Sequence, residues 1–413
     1  MMTSLDQLVS SQRVLLLQGP MGDFFAQLAA WLRTRQIEVH KVNFNGGDRF
    51  FYRDSAATDF RGRLSDFAGW LKQHLQRLNI DTVVCFGDCR LYHLRARSVC
   101  QQLGIRFLVF EEGYLRPDYI TLECDGVNAS SSLNLSLMLN QHVQHDYPEP
   151  TQPSFSLMVW SACLYYLAWI LLHPWYPHHQ HHRLLTPFQE IVAWLRALRR
   201  RATNTLFDHR KQAYIRTNLA GRYFIVALQV HNDSQVRVHS DYDDVSDFVI
   251  ETMRSFAEYA APDQYLVIKH HPMDRGYRSY RCLIKKTAQE LGIRSRVLYV
   301  CDVHLPSLIK QSIGLVTINS TTGLQALFHG KPVIALGRAI YDLPRLTFQG
   351  ELKDFWRAPT PVDHAYYWCF RAFLIHHSQL NGSFYGLSPW MNTPQQPVKS
   401  SSIVQSSLQR SHG

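Results

Sequence analysis

Residues 13–48 read RVLLLQGPMGDFFAQLAAWLRTRQIEVHKVNFNGGD. After Arg13 the run Val14-Leu15-Leu16-Leu17 is unbroken and apolar, the pattern of a strand buried on both faces. It stops at Gln18-Gly19-Pro20-Met21-Gly22, where two glycines and a proline suit a turn between elements. From 24 to 35 the apolar residues return at helical spacing. A short strand is expected over 38–42, closed by the polar turn Asn43-Phe44-Asn45-Gly46-Gly47-Asp48. Strand, glycine-bearing turn, helix, strand is the unit from which a helix-covered parallel sheet is built.

The unit recurs along the chain. The pattern predicts a helix over 60–78, a strand over 82–86, Gly87-Asp88 and a helix to 103, then a strand over 106–110 ending at Glu111-Glu112-Gly113. In the second half it predicts strands over 223–229, 265–269, 297–300, 314–318 and 332–336. Helices are expected over 247–259, 284–291, 305–311 and 319–329. A chain of 413 residues suits two domains better than one core. The fold class is therefore α/β and GT-B-like: two Rossmann-like domains facing a cleft, with an apolar helical insert between them. The expected boundaries are 12–150 for the first domain, 151–215 for the insert and 216–345 for the second. Residues 346–385, with 355–377 helical, are placed as helices crossing back to the first domain. The Ser-, Gln- and Pro-rich 386–413 is expected to be a disordered tail.

Residues 155–176 contain no Asp, Glu, Lys or Arg; His178-His179-Gln180-His181-His182 follows, then Arg196, Arg199, Arg200, Arg201, Arg210 and Lys211. The apolar run is nearly long enough to cross a bilayer, but a crossing would part the two halves of the cleft. A helix at the membrane interface with basic residues beside it fits, and so does a helix packed between domains. The net charge of +10 favours anionic partners. Nucleic acid is not expected among them, because the basic residues sit beside an apolar stretch, without stacking aromatics interleaved. The eight cysteines form no C-x-x-C pair, and residues 1–11 lack a signal pattern, so a cytoplasmic protein is expected.

Ligands of parallel α/β sheets bind beyond the carboxyl ends of the strands. Four groups of polar residues stand there. Asn319-Ser320-Thr321-Thr322-Gly323 opens a helix, where free backbone N–H groups and hydroxyls suit a phosphate; one such residue would suffice as a cap. Lys269-His270-His271-Pro272 ends a strand, with a cation or imidazole to meet a phosphate and a proline to fix the turn. Glu111-Glu112-Gly113-Tyr114-Leu115-Arg116-Pro117 offers two carboxylates, one of them expected to pair with Arg116; a carboxylate there can serve as nucleophile or base. Gln18 and Gly19, with Asn43, Asn45 and Asp48, can form a polar pocket on the acceptor side. Asp241-Tyr242-Asp243-Asp244 has the spacing of a metal motif, but acids at a helix start suit the dipole. The histidine cluster is expected in a solvated loop. No metal and no cofactor is assigned.

In order, these stretches resemble the bacterial capsule polysaccharide proteins called KpsS or LipB: residues 14–20, 40–48 and 110–117, Lys269-His270-His271-Pro272 and Asn319-Ser320-Thr321-Thr322-Gly323. The resemblance runs from about residue 13 to 385. It implies a retaining transferase that takes Kdo from CMP-Kdo and starts a β-linked Kdo linker on a phosphatidylglycerol-type lipid. A second Kdo transferase and the capsule export machinery are implied partners, and the cytoplasmic face of the inner membrane is the implied location. The acid-acid-Gly motif maps onto Glu111-Glu112-Gly113, with Glu112 at the nucleophile's place, where relatives often have Asp. Lys269, His271, Pro272, Asn319, Ser320, Thr321 and Thr322 map onto the CMP side. Alternative readings are a transferase of glycerol phosphate from CDP-glycerol and a non-catalytic, membrane-docked export factor.

Overall fold

The computed structural model describes residues 2–140, 148–151, 155–180, 187–232 and 234–392. The first sheet holds β1 (Arg13–Leu16), β2 (Glu38–Asn43), β3 (Ala57–Asp59), β4 (Thr82–Phe86), β5 (Arg106–Glu112) and β6 (Tyr119–Cys124). The second holds β7 (Tyr223–Ala227), β8 (Tyr265–Lys269), β9 (Val297–Val300), β10 (Gly314–Thr317) and β11 (Val333–Ala335). A last strand, β12 (Gln379–Asn381), returns to the first sheet, giving orders β12-β6-β5-β4-β1-β2-β3 and β11-β10-β7-β8-β9. The second sheet is wholly parallel, and β1 to β5 are parallel in the first. Central strands of such sheets are buried on both faces, which is why Val14-Leu15-Leu16 and Phe224-Ile225-Val226 are apolar without alternation.

Each sheet carries an apolar cluster on both faces. In the first domain Phe107 and Val109 pack on one side, Leu108 and Phe110 on the other. In the second, Phe224 and Val226 share one cluster while Ile225 and Val267 lie in another. That last cluster also takes Tyr114, Leu115 and Tyr119 from the first domain and Tyr367, Phe370 and Leu374 from the helix His364–His377. Burying one such side chain contributes about 1.5–3 kcal/mol, so this shared cluster holds the two domains together on one side of the cleft.

Two expectations are corrected here. Residues 355–377 are not one helix: Leu352–Phe355 ends before Pro359 and Pro361, and His364–His377 starts afresh with Asp363 as its cap. The expected tail starts too early, since Pro389–Asn392 is a helical turn and the buried Trp390 ring lies 5.0 Å from Trp31. Residues 393–413 lie outside the described residues. The acids at 241–244 stand at a helix start as expected: Asp244 caps the helix Val245–Tyr259 through Ser246 N and pairs with Arg278.

The insert comprises two helices, Phe155–Leu171 and Pro187–Asn218. The first buries Ala162, Tyr165, Tyr166, Ala168 and Trp169, while Trp160 and Leu171 are 63% and 66% exposed. Its buried face lies on the short helix Gly46–Phe51. A Cβ on Gly46 would fall 2.3 Å from the Ala168 carbonyl, and one on Gly47 2.6 Å from the Tyr165 ring. The two glycines therefore permit this contact. One face of the helix packs and the other stays exposed. Among the described residues no helix is long and apolar enough to cross a membrane.

Candidate active site

Glu111 and Glu112 are the last two residues of β5, inside the strand rather than after it. Glu111 pairs in register with Thr121 and Glu112 with Ile120 of the antiparallel β6. The hairpin requires Gly113, whose Cβ would lie 2.0 Å from the Tyr119 carbonyl. Successive strand residues point to opposite faces, so the two carboxyl groups diverge. Glu112 is exposed. Glu111 accepts the Glu112 N–H at 3.0 Å, and burial raises its pKa to about 7; the Glu112 and Asp88 charges add to the rise and Arg90 opposes it. Arg116 does not pair with either carboxylate: its Nε donates to the Gly113 carbonyl at 3.1 Å. It stands near His271 of the other domain, whose charged form it disfavours. With Pro117 and Asp118 it lines an interdomain cavity of about 560 Å³, faced by Leu324 and Phe328.

The acceptor-side residues form a closed network around a side chain from the insert. The Tyr165 hydroxyl accepts from Gln18 Nε2 at 3.0 Å and Asn45 Nδ2 at 2.8 Å, and donates to Asp48 Oδ1 at 2.9 Å. Asn45 Oδ1 accepts the Asp48 N–H at 3.0 Å, so it also caps the helix Gly46–Phe51. Arg90 donates to Gln18 Oε1 at 3.0 Å and to the Gly19 carbonyl at 3.3 Å, and so joins this network to Glu111. Asn43 is not part of it; its Nδ2 donates to Asp59 at 3.3 Å.

On the second domain's wall, His271 Nδ1 accepts the Met273 N–H at 3.2 Å, and burial, then Lys269 and Arg116, depress its pKa to about 4. The ring is therefore neutral at pH 7 with its proton on Nε2, which makes Nε2 a hydrogen-bond donor. Pro272 starts the turn that supplies Met273. Ser320 Oγ accepts the Thr322 N–H at 3.2 Å and contacts Thr322 Oγ1 at 3.1 Å, while the Thr321 hydroxyl has no partner among the described residues. Two residues expected at a phosphate are internal anchors instead. Lys269 is buried with Nζ on the His270 carbonyl at 2.8 Å. The buried Asn319 exchanges hydrogen bonds with Gln229 at 2.9 and 3.1 Å.

Sequence reasoning passed over Arg90 and Tyr165, and misplaced His179. His179 is not in a solvated loop: it is half-buried, contacts Asn45 Nδ2 at 3.3 Å and stacks on Tyr92. His181 and His182 lie outside the described residues. Asp88, Cys89 and His239 bring their ligand atoms within 4.8 Å of one another across the domains and could hold a metal ion. As they stand, Cys89 Sγ lies 3.1 Å from Asp88 Oδ1 and 4.0 Å from His239 Nε2.

The fold defines an α/β protein of two domains, each built on a largely parallel sheet, with Arg116 of the first near His271 of the second. Residues 81–385 match the family described as capsule polysaccharide biosynthesis protein, and the chain belongs to that family. It is 42% identical to the Escherichia coli capsule polysaccharide export protein KpsS, over 92% of this chain and 99% of that one. It is 41% identical to the capsule polysaccharide modification protein LipB of Neisseria meningitidis serogroup B, over 92% and 93%. The solved structure of a Thermosulfurimonas dismutans KpsC β-Kdo 2,7 transferase aligns over 88% of this chain and 91% of that one, with 14% identity and a TM-score of 0.46.

Proposed function

We propose that this protein is a retaining glycosyltransferase that moves Kdo from CMP-Kdo to a phosphatidylglycerol-type lipid, starting the β-Kdo linker of a capsular polysaccharide. The observation that carries the reading is the pair at the end of β5: an exposed Glu112 beside a Glu111 whose pKa is raised to about 7. Two carboxyl groups held in different environments can divide a two-step displacement between them. Glu112 attacks the anomeric carbon, the bond to the CMP phosphate breaks, and CMP leaves with the bonding electrons. His271 Nε2–H and the Ser320 and Thr321 hydroxyls meet the charge that grows on that phosphate. The acceptor hydroxyl then gives its proton to Glu111 and its oxygen displaces Glu112, so two inversions retain configuration. Gln18, Asn45 and Asp48 orient the acceptor, and CMP's single phosphate needs no metal.

The exposed apolar face of the helix Phe155–Leu171, with the arginines of Pro187–Asn218 beside it, supports attachment to the cytoplasmic surface of the inner membrane, where the lipid acceptor lies. A second Kdo transferase and the export machinery would take the product. The test is an assay of the purified protein with CMP-Kdo, or with CDP-glycerol, on a phosphatidylglycerol analogue, with the anomeric configuration of the product read by NMR. A β-linked Kdo lipid is expected. Transfer from CDP-glycerol alone, or no transfer by folded protein, overturns the reading.

A further inference from the structure

A cavity of about 350 Å³ lies between the helix Pro187–Asn218, the edge strand β9 and the segment 275–281. Its walls carry four arginines: Arg200, Arg275, Arg278 and Arg281. Two are neutralised, Arg275 by Asp302 and Arg278 by Asp244. Among the described residues Arg200 donates to the carbonyls of Arg275 and Arg278, at 2.7 and 3.3 Å, and neither it nor Arg281 has a carboxylate partner. The one acid in the wall, Asp208, is already engaged by Lys211 Nζ and by the Cys301 and Asp302 N–H groups. His270, only 3% exposed, has Nδ1 without a hydrogen-bond partner. Asn204 and Ser279 add further polar groups to the wall.

Two uncompensated guanidinium groups around an open, polar space fit an anion with several acceptor oxygens. The volume is that of about twelve waters at ~30 Å³ each, which is room for a phosphate carrying a further substituent. The rim shows what carries the phosphate. Phe207 lines the cavity and is 56% exposed, Leu206 beside it is also exposed, and Arg201 on the same helix lies over the exposed Phe155 ring. The cavity therefore sits beside the exposed apolar surface of the insert.

We propose that this cavity is a head-group site for an anionic phospholipid, in which Arg200 and Arg281 hold the phosphate while Phe207 and Leu206 meet the acyl chains. This assignment rests on the membrane-facing part of the function proposed above and not on the transferase chemistry.

Phosphatidic acid is the probe, because it carries no alcohol that could accept a sugar in the cleft. Short-chain phosphatidic acid, kept below its micellar concentration, is expected to raise the unfolding temperature of the wild-type chain. Arg281→Gln is expected to lose that shift, as is Asn204→Leu, which fills the cavity and leaves both arginines in place. In sedimentation with vesicles containing phosphatidic acid, Arg281→Gln should bind at least tenfold more weakly than wild type, and equally on vesicles of phosphatidylcholine alone. Trp160→Ser should weaken binding to both kinds of vesicle. If inorganic phosphate gives the same thermal shift and Arg281→Gln leaves vesicle binding unchanged, the ligand is a soluble phosphate and the lipid proposal falls. It falls too if neither probe shifts the wild type, or if both variants retain the shift. Failure of sugar transfer in the cleft would leave these readings untouched.

Discussion

The Tyr165 hydroxyl donates to Asp48 Oδ1 at 2.9 Å, joining residues 117 positions apart in the chain. The same oxygen accepts from Gln18 and Asn45, so one phenol from an otherwise apolar helix satisfies three polar side chains of the first domain. The insert is therefore tied into the first domain's polar network as well as presenting an exposed face.

Tyr165→Phe tests that relationship. The ring stays and the three hydrogen bonds go, leaving buried polar atoms without a partner, at a cost of about 1–3 kcal/mol. Urea unfolding should show a lowered midpoint with an unchanged m-value. Transfer should weaken mainly through the acceptor KM, with the KM for the sugar nucleotide held. A variant of wild-type stability and kinetics would show that the network is idle.

The carboxylate pair predicts two different defects. Glu112→Gln removes the proposed nucleophile and should abolish both product and the first-turnover burst of CMP. Glu111→Gln removes only the proton acceptor, so the CMP burst should persist while turnover slows by about 10²–10⁴-fold. The wild-type kcat should fall as pH drops through about 7, where Glu111 takes up its proton, and the slow Glu111→Gln enzyme should lack that limb. A burst in Glu112→Gln that is lost in Glu111→Gln would reverse the two roles.

His271 and Lys269 separate the same way. His271→Ala removes the Nε2–H donor and should cost turnover by more than tenfold in a folded protein. Lys269→Met should instead lower the unfolding temperature, since Nζ serves the buried His270 carbonyl. Calorimetry and kinetics on both variants decide it: a stable, inactive Lys269→Met would return the lysine to the phosphate.

The sequence was most legible where burial leaves little choice. Residues 82–86, 265–269 and 297–300 are strands at the expected bounds, because apolar runs of four or five flanked by turn residues have few other fates. It was least legible where a residue's partner comes from far away. Glu111-Glu112-Gly113 reads as a strand end, but β6 arrives after a tight hairpin and keeps both acids in the ladder. Tyr165 reads as one more apolar position, and its hydroxyl gains meaning only when Gly46 and Gly47 let the helix descend. Lys269 and Asn319, expected at a phosphate, hold internal hydrogen bonds to the His270 carbonyl and Gln229. Polar residues at strand ends also anchor turns from inside, and spacing does not tell an anchor from a ligand-binding group.

A fourth carboxyl group, away from the proposed chemistry, predicts a pH dependence of stability. Glu123 on β6 is fully buried, its two carboxylate oxygens have no hydrogen-bond partner among the described residues, and burial, with the Asp88 charge adding to it, raises its pKa from 4.5 to about 8. Below pH 4.5 the group is protonated in both folded and unfolded chains and does not affect the balance. Between 4.5 and 8 the folded chain holds a proton that the unfolded chain has released. Stability therefore falls as pH rises through that window and levels off above it. Glu123→Gln keeps the shape without the ionisation. Its urea midpoint relative to wild type should rise steadily from pH 5 to pH 8. Other titrating groups act alike in both chains, so the difference isolates this one carboxyl. Parallel midpoint curves across that range would mean that Glu123 is ionised in the folded protein and has a cationic partner.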